Sequence, residues 1–109
     1  MGEQGFTKLA AEALDRLEAD IEQSALAADV DLELSRQGNV IDIEFEDGSK
    51  MVINSHEAAG ELWVAARAGG YHFKPTATGA WIDGRSGREL RPLLAELLSA
   101  QAGTPLALD

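Results

Sequence analysis

The sequence predicts an α+β fold, a two-layer α/β sandwich in which an antiparallel sheet of about five to six strands carries the N- and C-terminal helices on one face. Apolar residues recur at helical spacing near both ends of the chain. Between them, short segments alternate apolar and polar residues and are joined by glycine-containing turns, as hairpins are. The 109 residues, of which 45% are hydrophobic, suit a single domain over residues 1–109.

The first helix is predicted over residues 6–21, because its apolar residues fall on one stripe at intervals of three and four. That stripe consists of Phe6, Leu9, Ala10, Ala13, Leu14, Leu17 and Ile21. Two strands are predicted next, over residues 31–35 and 40–46, where apolar residues alternate with polar ones. Asp47 and Gly48 tolerate a positive φ, so they predict a tight turn after the second strand.

The third and fourth strands are predicted over residues 50–54 and 61–67, and the Gly69-Gly70 pair is expected to break the fourth. Shorter strands are predicted over residues 71–74 and 81–83. In the fourth strand, the inward side chains are predicted to be Leu62, Val64 and Ala66, and the outward ones Trp63, Ala65 and Arg67.

The closing helix is predicted over residues 88–102, with Ser86 as its N-cap and Gly103 as its stop. Its apolar stripe consists of Leu90, Leu93, Leu94, Leu97 and Leu98. Because a run of hairpin-linked strands separates the two helices, we expect both helices on one face of the sheet and water on the other.

The excess of acidic residues lies in the first half of the sequence. Residues 1–47 contain 13 acidic and three basic residues, and the rest of the chain contains six of each, so the whole net charge of -10 lies there. Such a field repels nucleic acid phosphates and attracts cations and basic protein surfaces, so we expect no nucleic acid partner. The alternative interpretation is a surface that serves only solubility.

Several kinds of chemistry are excluded by what the sequence lacks. Without cysteine, the chain cannot form a disulfide, a thiolate zinc site or a cysteine-ligated cluster. It has no apolar run that could span a membrane and no signal-peptide pattern, so we expect a soluble cytoplasmic protein with no membrane partner. His56 and His72 fit no metal-ligand motif, and no triad or phosphate-binding loop is present. We therefore predict no catalytic residues, no enzyme activity and no organic cofactor.

The first helix carries carboxylates that could bind a metal ion. Asp15, Glu18 and Glu22 are spaced by three and four residues and line one exposed edge of the helix. We expect the next strand to extend this edge through Asp29, Asp31 and Glu33. Oxygen ligands suit Mg²⁺, Ca²⁺, Mn²⁺ or ferrous iron, and exposed carboxylates bind such ions weakly. Spacing alone leaves a second interpretation open, a solvated face with incidental affinity for ions.

A partner-binding surface is predicted on the exposed face of the sheet. Asn54 and Trp63 are expected to point outward from neighbouring strands, and aromatic anchors are common in protein interfaces. Asp42, Glu44 and Glu46 alternate on the outer face of the second strand, which is the ordinary pattern of solvent-facing residues. The alternative for Trp63 is packing under a loop, and both interpretations remain open at this point.

The motifs of the chain follow one another in a specific order. After an acidic first helix come Phe45-Glu46-Asp47-Gly48-Ser49-Lys50, Ile53-Asn54, Leu62-Trp63-Val64-Ala65, Gly69-Gly70-Tyr71-His72-Phe73, Trp81-Ile82-Asp83 and Arg85-Ser86-Gly87. In this order the chain resembles the bacterial frataxins of the CyaY type over residues 6–103. The resemblance implies the same α/β sandwich, binding of Fe²⁺ and Fe³⁺ by carboxylates, and docking on an IscS-type cysteine desulfurase and the cluster scaffold.

The resemblance assigns the iron-binding edge residue by residue. Its members are Glu18, Glu22, Asp29, Asp31 and Glu33, to which we add Asp15 for its charge. The candidate partner-binding residues are Asn54, Trp63 and Glu44. Relatives often carry further acids where this chain has Ala19, Gln23 and Ala25, so we expect fewer or weaker iron sites. Near the partner surface, Ala58 and Glu61 replace the commoner Pro and Gln.

These features predict a frataxin-like iron-binding protein that delivers iron to iron–sulfur cluster assembly, or regulates it, by docking on the desulfurase. We expect weak carboxylate-bound Fe²⁺ or Fe³⁺, a monomer when metal-free, and oligomers that iron can induce. The alternative is a metal-independent acidic adaptor, for which the carboxylates matter only as charge.

Overall fold

The computed structural model describes residues 3–108. Its elements are α1 (Glu3–Ala28), β1 (Glu33–Gln37), β2 (Val40–Glu44), β3 (Lys50–His56), β4 (Glu61–Ala66), β5 (Gly69–Pro75), β6 (Trp81–Asp83) and α2 (Leu90–Ala102). Within this range six antiparallel strands form one sheet in the order β1-β2-β3-β4-β5-β6. The predicted α+β sandwich with a helix at each end is confirmed. Neither helix in residues 3–108 has the length and apolar character needed to cross a membrane.

The core lies between the sheet and the two helices. The central strands bury every second side chain, namely Ile41, Ile43, Met51, Ile53, Leu62 and Val64. The helices bury Phe6, Ala10, Leu14, Leu17 and Ile21 of α1 and Leu90, Leu93, Leu94, Leu97 and Leu98 of α2. Because the two predicted helical stripes supply these residues, both stripes are confirmed. Leu106 and Leu108 extend the core beyond the end of α2.

Several boundaries differ from the predictions. α1 continues to Ala28, because Ala25 adds a further buried position to its inner face. β1 begins at Glu33, not at residue 31, since the residues after α1 form its C-terminal turn. The Gly69-Gly70 pair does not break the sheet but opens β5, paired with the end of β4. β2 ends at Glu44, so Glu46 belongs to the following turn and not to the strand.

Ser86 is not the N-cap of α2. That position is taken by Glu89, whose backbone is extended and whose side chain forms no capping hydrogen bond. Ser86 instead donates its backbone N–H and its Oγ–H to Oδ2 of Asp83, at 3.0 and 2.6 Å, and so closes the turn after β6. The predicted stop at Gly103 is confirmed, because Gly103 has a φ of 72° and donates its N–H to the carbonyl of Ser99.

Asp83 makes the stability of the fold depend on acid. Its carboxyl is buried, and the hydroxyl of Ser86 is the main cause that lowers its pKa below the ordinary value. A pKa lowered by folding gives stability that is present above the unfolded-state pKa and is lost as pH falls through the folded-state pKa. We expect Asp83→Asn to unfold more easily in urea at neutral pH, by a margin that narrows below about pH 4. A margin independent of pH would contradict this account.

Candidate functional site

α1 ends in a Schellman motif with Asp29 at the position that usually holds glycine. Val30 donates its N–H to the carbonyl of Ala25 at 2.9 Å, and Asp29 to that of Leu26 at 3.2 Å. Asp29 accordingly has a left-handed φ of 56°. The carboxylate of Asp29 lies near the negative end of the helix dipole, because Asp29 directly follows the last residue of α1. The last turn of α1 contains no basic residue that would offset this charge. The dipole disfavours an acid here, and the left-handed backbone, which Asp tolerates, is adopted more readily by glycine.

This turn reverses the chain, and β1 then runs back along α1. Arg36 of β1 donates from Nη1 to Oδ1 of Asp15 at 3.0 Å and to Oε1 of Glu18 at 3.1 Å. Its Nε donates to the carbonyl of Gly38 at 2.7 Å, and its side chain is only 18% exposed. The helix and the strand therefore lie side by side, as the sequence predicted. The same contacts show that a cation of the chain itself occupies one end of the acidic edge.

The other end of the acidic edge is open to solvent. Its carboxylates belong to Glu22, Asp29, Asp31 and Glu33, and all four residues are exposed. None of the four forms an ion pair within residues 3–108. No group of three or more His, Cys, Asp or Glu side chains in the described part of the chain is close enough to hold a metal ion. The edge therefore offers separate, mobile oxygen ligands and not a preformed cage, an arrangement typical of weak binding of hard cations.

Sequence reasoning did not include Arg36 in this edge. Residues 32, 34 and 36 share one face of the strand, so the alternation that placed Leu32 and Leu34 inward also directs Arg36 toward α1. The signal was present in the sequence. It was missed because the predicted strand stopped at residue 35, one residue short of it.

Arg36→Gln is expected to lower the free energy of unfolding by about 1 kcal/mol, because it removes the charged hydrogen bonds that join β1 to α1. The estimate is modest because Asp15 and Glu18 are only partly shielded from water. Urea unfolding followed by circular dichroism measures the change. Arg16→Gln is the matched control, since Arg16 is exposed on α1 and forms no ion pair within the described residues. Equal losses in the two variants would contradict a specific role for Arg36.

The exposed face of the sheet carries a stack of three aromatic rings. The imidazole of His56 lies on one face of the Trp63 indole, with centroids 4.1 Å apart and planes 5° apart. The imidazole of His72 lies on the other face, at 4.4 Å and 12°. Trp63 therefore points outward, as predicted, and is half buried by two histidines and not by a loop. We call His56, Trp63 and His72 the ring stack.

Glu61 and Asn54 flank the ring stack. Oε1 of Glu61 accepts the indole N–H of Trp63 at 2.9 Å, and Nδ1 of His72 lies 3.8 Å from the same oxygen. Asn54 pairs with Trp63 in the register of β3 and β4, and donates Nδ2–H to the carbonyl of Ser55 at 3.3 Å. The structure thus brings Asn54 and Trp63 together as the sequence predicted.

The third candidate partner residue lies apart from these two. Glu44 is exposed on β2 and stands opposite Lys50 of β3, at the end of the strand pair away from Asn54. Asn54 stands opposite Val40, at the other end of β2. Glu44 therefore belongs to the acidic side of the exposed face, near Glu33, its partner on β1, and not to the ring stack.

The chain matches the family model of the frataxin-like domain over residues 1–104. It is 51% identical over 108 residues to the iron–sulfur cluster assembly protein CyaY of Cupriavidus metallidurans, covering 99% of this chain and 96% of that relative. The solved structure of a frataxin from Psychromonas ingrahamii has a TM-score of 0.85 at 28% identity, covering 98% and 97% of the two chains. A trimeric frataxin from the yeast Saccharomyces cerevisiae, complexed with ferrous iron, has a TM-score of 0.71 at 26% identity, covering 88% and 87%.

Proposed function

The chain belongs to the frataxin-like family, and on that premise we propose that it binds iron weakly and serves cytoplasmic iron–sulfur cluster assembly as one domain over residues 1–109. Members of this family are non-enzymatic partners or regulators of that assembly, which confirms the prediction that the chain is not an enzyme. The name of the relative from Cupriavidus metallidurans supports the role in cluster assembly. The ferrous-complexed yeast frataxin supports the binding of iron.

The proposed iron site is the acidic edge, and the observation that carries it is the position of Asp29. An acid with a left-handed backbone at the negative end of a helix is unfavourable, and a bound cation would offset the electrostatic part of that cost. The proposed ligands are Glu22, Asp29, Asp31 and Glu33, with Asp15 and Glu18 shared with Arg36. Exposed carboxylates accept both Fe²⁺ and Fe³⁺, and their freedom to move makes the binding weak.

Two protein partners follow from the proposal. The acidic edge steers the chain onto a basic surface of an IscS-type cysteine desulfurase, because opposite fields accelerate and orient encounter. The face that contains Asn54 and Trp63 meets the cluster scaffold, with Glu44 at its acidic side. A monomer when metal-free and an oligomer with iron are also proposed, and the trimeric yeast relative supports the second state.

Docking by the acidic edge predicts a strong dependence on salt. The affinity of the chain for the purified desulfurase is expected to fall at least about tenfold between about 0.05 and 0.5 M NaCl, because salt screens exposed charges. Isothermal titration calorimetry at several salt concentrations measures this dependence. Glu18→Gln combined with Glu22→Gln should weaken the docking at low salt and flatten its salt dependence. An affinity that salt does not change would contradict steering by this edge.

A second candidate function, a metal-independent acidic adaptor, is favoured by the pairing of Arg36 with Asp15 and Glu18. In that case the carboxylates supply only charge, and the chain itself compensates two of them. An anoxic titration with ferrous iron separates the two functions. Iron uptake together with docking supports the first, and docking without iron uptake supports the adaptor.

A further inference from the structure

Glu61 holds its carboxylate in a partly sheltered place, where the basic side chain nearest to it in an ion-pair contact is a histidine and not a Lys or Arg. Its side chain is only 15% exposed, and within residues 3–108 no Lys or Arg forms an ion pair with it. Its Oε1 accepts the indole N–H of Trp63 and lies 3.8 Å from His72 Nδ1. A carboxylate removed from water is costly unless a charged partner compensates it. The Glu61 carboxylate therefore has a hydrogen bond and a histidine neighbour, but no ion pair with a permanently charged side chain of residues 3–108.

A cavity of about 260 Å³ opens beside this carboxylate. It is lined by Glu61, Gly70, His72, Asp83, Gly84 and Arg85. A Cβ added at Gly70 or Gly84 would meet nothing within 4 Å, so the glycines leave room for an incoming side chain. The carboxylate of Asp83 is already held by hydrogen bonds from Ser86. Of the two carboxylates in the lining, Glu61 is therefore the one that can accept a hydrogen bond from a ligand.

The ring stack restricts what can bind next to this cavity. His56 and His72 cover both faces of the Trp63 indole, so a partner cannot lay an aromatic ring on Trp63 without displacing a histidine. What remains accessible is the row of ring edges that leads to Glu61. The methylene stem of a Lys or Arg can pack against the carbon atoms of these rings, while its charged head reaches a carboxylate.

We propose that Glu61, the ring stack and this cavity form a subsite for one basic side chain, a Lys or an Arg, of a protein partner. Charge complementarity favours this occupant, because within residues 3–108 Glu61 forms no ion pair with a Lys or Arg and the chain as a whole has a net charge of -10. Arg85, which also lines the cavity, repels an incoming cation, whereas Glu61 attracts it. The proposed function supplies only the identity of the partner protein, and the subsite does not otherwise depend on it.

The first test uses a small probe and does not depend on the partner. Acetyl-arginine amide is titrated into the ¹⁵N-labelled chain, with acetyl-citrulline amide as the uncharged analogue. The indole N–H resonance of Trp63 should shift and saturate with the arginine compound and shift far less with the citrulline compound. Glu61→Gln retains an oxygen that can accept the indole N–H and removes the charge, so it should abolish most of the arginine shift. An equal shift in this variant, or no shift in the unsubstituted chain, would overturn the subsite.

The second test uses the purified desulfurase and the purified scaffold. Glu61→Gln should weaken binding of the partner that supplies the basic side chain about tenfold, the scale of a strong interface residue. Glu46→Gln is the matched control, since it removes the same charge from an exposed residue in the β2–β3 turn, and its effect should be less than about twofold. If the desulfurase or the scaffold binds, and Glu61→Gln changes the affinity for neither of them, the proposal of the subsite is wrong. If neither partner binds but the arginine probe does, the proposed function fails and the subsite stands.

Discussion

Phe73→Ala is expected to lower the free energy of unfolding by about 3–5 kcal/mol. Phe73 lies on β5 with 0% exposure and is the largest fully buried side chain of residues 3–108. In the register of the sheet it stands between Leu62 of β4 and Asp83 of β6. Removing its ring leaves a cavity in the core. The neighbouring side chains fill that cavity only in part, because strand pairing holds their backbone in place. Since small domains are stable by about 5–15 kcal/mol, this loss is a large share of the total.

Urea unfolding measures this loss through the fluorescence of Trp81, which is buried against Phe6 with ring centroids 6.1 Å apart. Leu26→Ala is the matched control, because Leu26 is a large apolar residue that is 76% exposed on α1. It should change the free energy of unfolding by less than about 0.5 kcal/mol. A loss below about 1 kcal/mol for Phe73→Ala would contradict the placement of this ring at the centre of the core.

Neutralising the acidic edge is expected to abolish most ferrous binding. Replacement of Glu18 and Glu22 by Gln, and of Asp29 and Asp31 by Asn, removes four of the six proposed ligands. Affinity for hard cations depends on the number and charge of the oxygen ligands, so ferrous affinity should fall at least about tenfold. Anoxic titration calorimetry against a ferrous salt measures it. Unchanged affinity in this variant would show that iron binds elsewhere or not at all.

Asp29→Asn alone separates loss of a ligand from loss of folding. Asn tolerates the left-handed conformation and removes a negative charge from the C-terminal end of α1, so the free energy of unfolding should rise by about 0.3–1 kcal/mol. Ferrous affinity should fall at the same time. Asp42→Asn, at an exposed acid of β2, is the control and should change neither quantity appreciably. A destabilised Asp29→Asn variant would contradict the account of an unfavourable acid held for binding.

The parts of the fold that sequence predicted well are those whose signal is local and periodic. The alternation of β2 and most of the stripe of α1 are buried in the core as predicted, while Leu9 and Ala13 of the stripe are partly buried and pack against it. Gly48, the predicted turn residue after β2, has the positive φ of 84° that such a turn needs. These elements depend on spacing within a dozen residues, so a single sequence contains enough information to place them.

The parts that sequence missed depend on competition or on long-range pairing. Ser86 has the chemistry of an N-cap, but it lies three residues before Glu89, the residue at the N-cap position of α2, and its hydroxyl donates to Asp83 in the turn after β6. The end of α1 was placed too early because the predicted apolar stripe ends at Ile21, and no glycine follows Ala28 to mark the true end of the helix, where Asp29 takes the turn position. The ring stack joins β3, β4 and β5, and no pattern within one strand brings His56 and His72 to opposite faces of Trp63.

The acidic edge was predicted in part: its residues were identified from the sequence, but their pairing was not. Its carboxylates were recognised from spacing on α1, and the reversal at Asp29 does bring β1 alongside the helix. The partition of the edge into a part paired with Arg36 and an open part could not follow from counting charges, because it depends on which side chains meet across the two elements. A net charge of -10 therefore overstates the number of carboxylates free to bind a cation.

We propose that this frataxin-like chain binds iron at the open end of the acidic edge, from Glu22 to Glu33. An anoxic titration of the ¹⁵N-labelled chain with ferrous iron, followed by NMR, tests it most directly. We expect paramagnetic broadening first at the amides of Glu22 and of residues 29–33, and later at Asp15 and Glu18, where Arg36 competes. The amides of the ring stack should keep their line widths. Broadening that begins at the ring stack, or no broadening of residues 22–33, would contradict the claim.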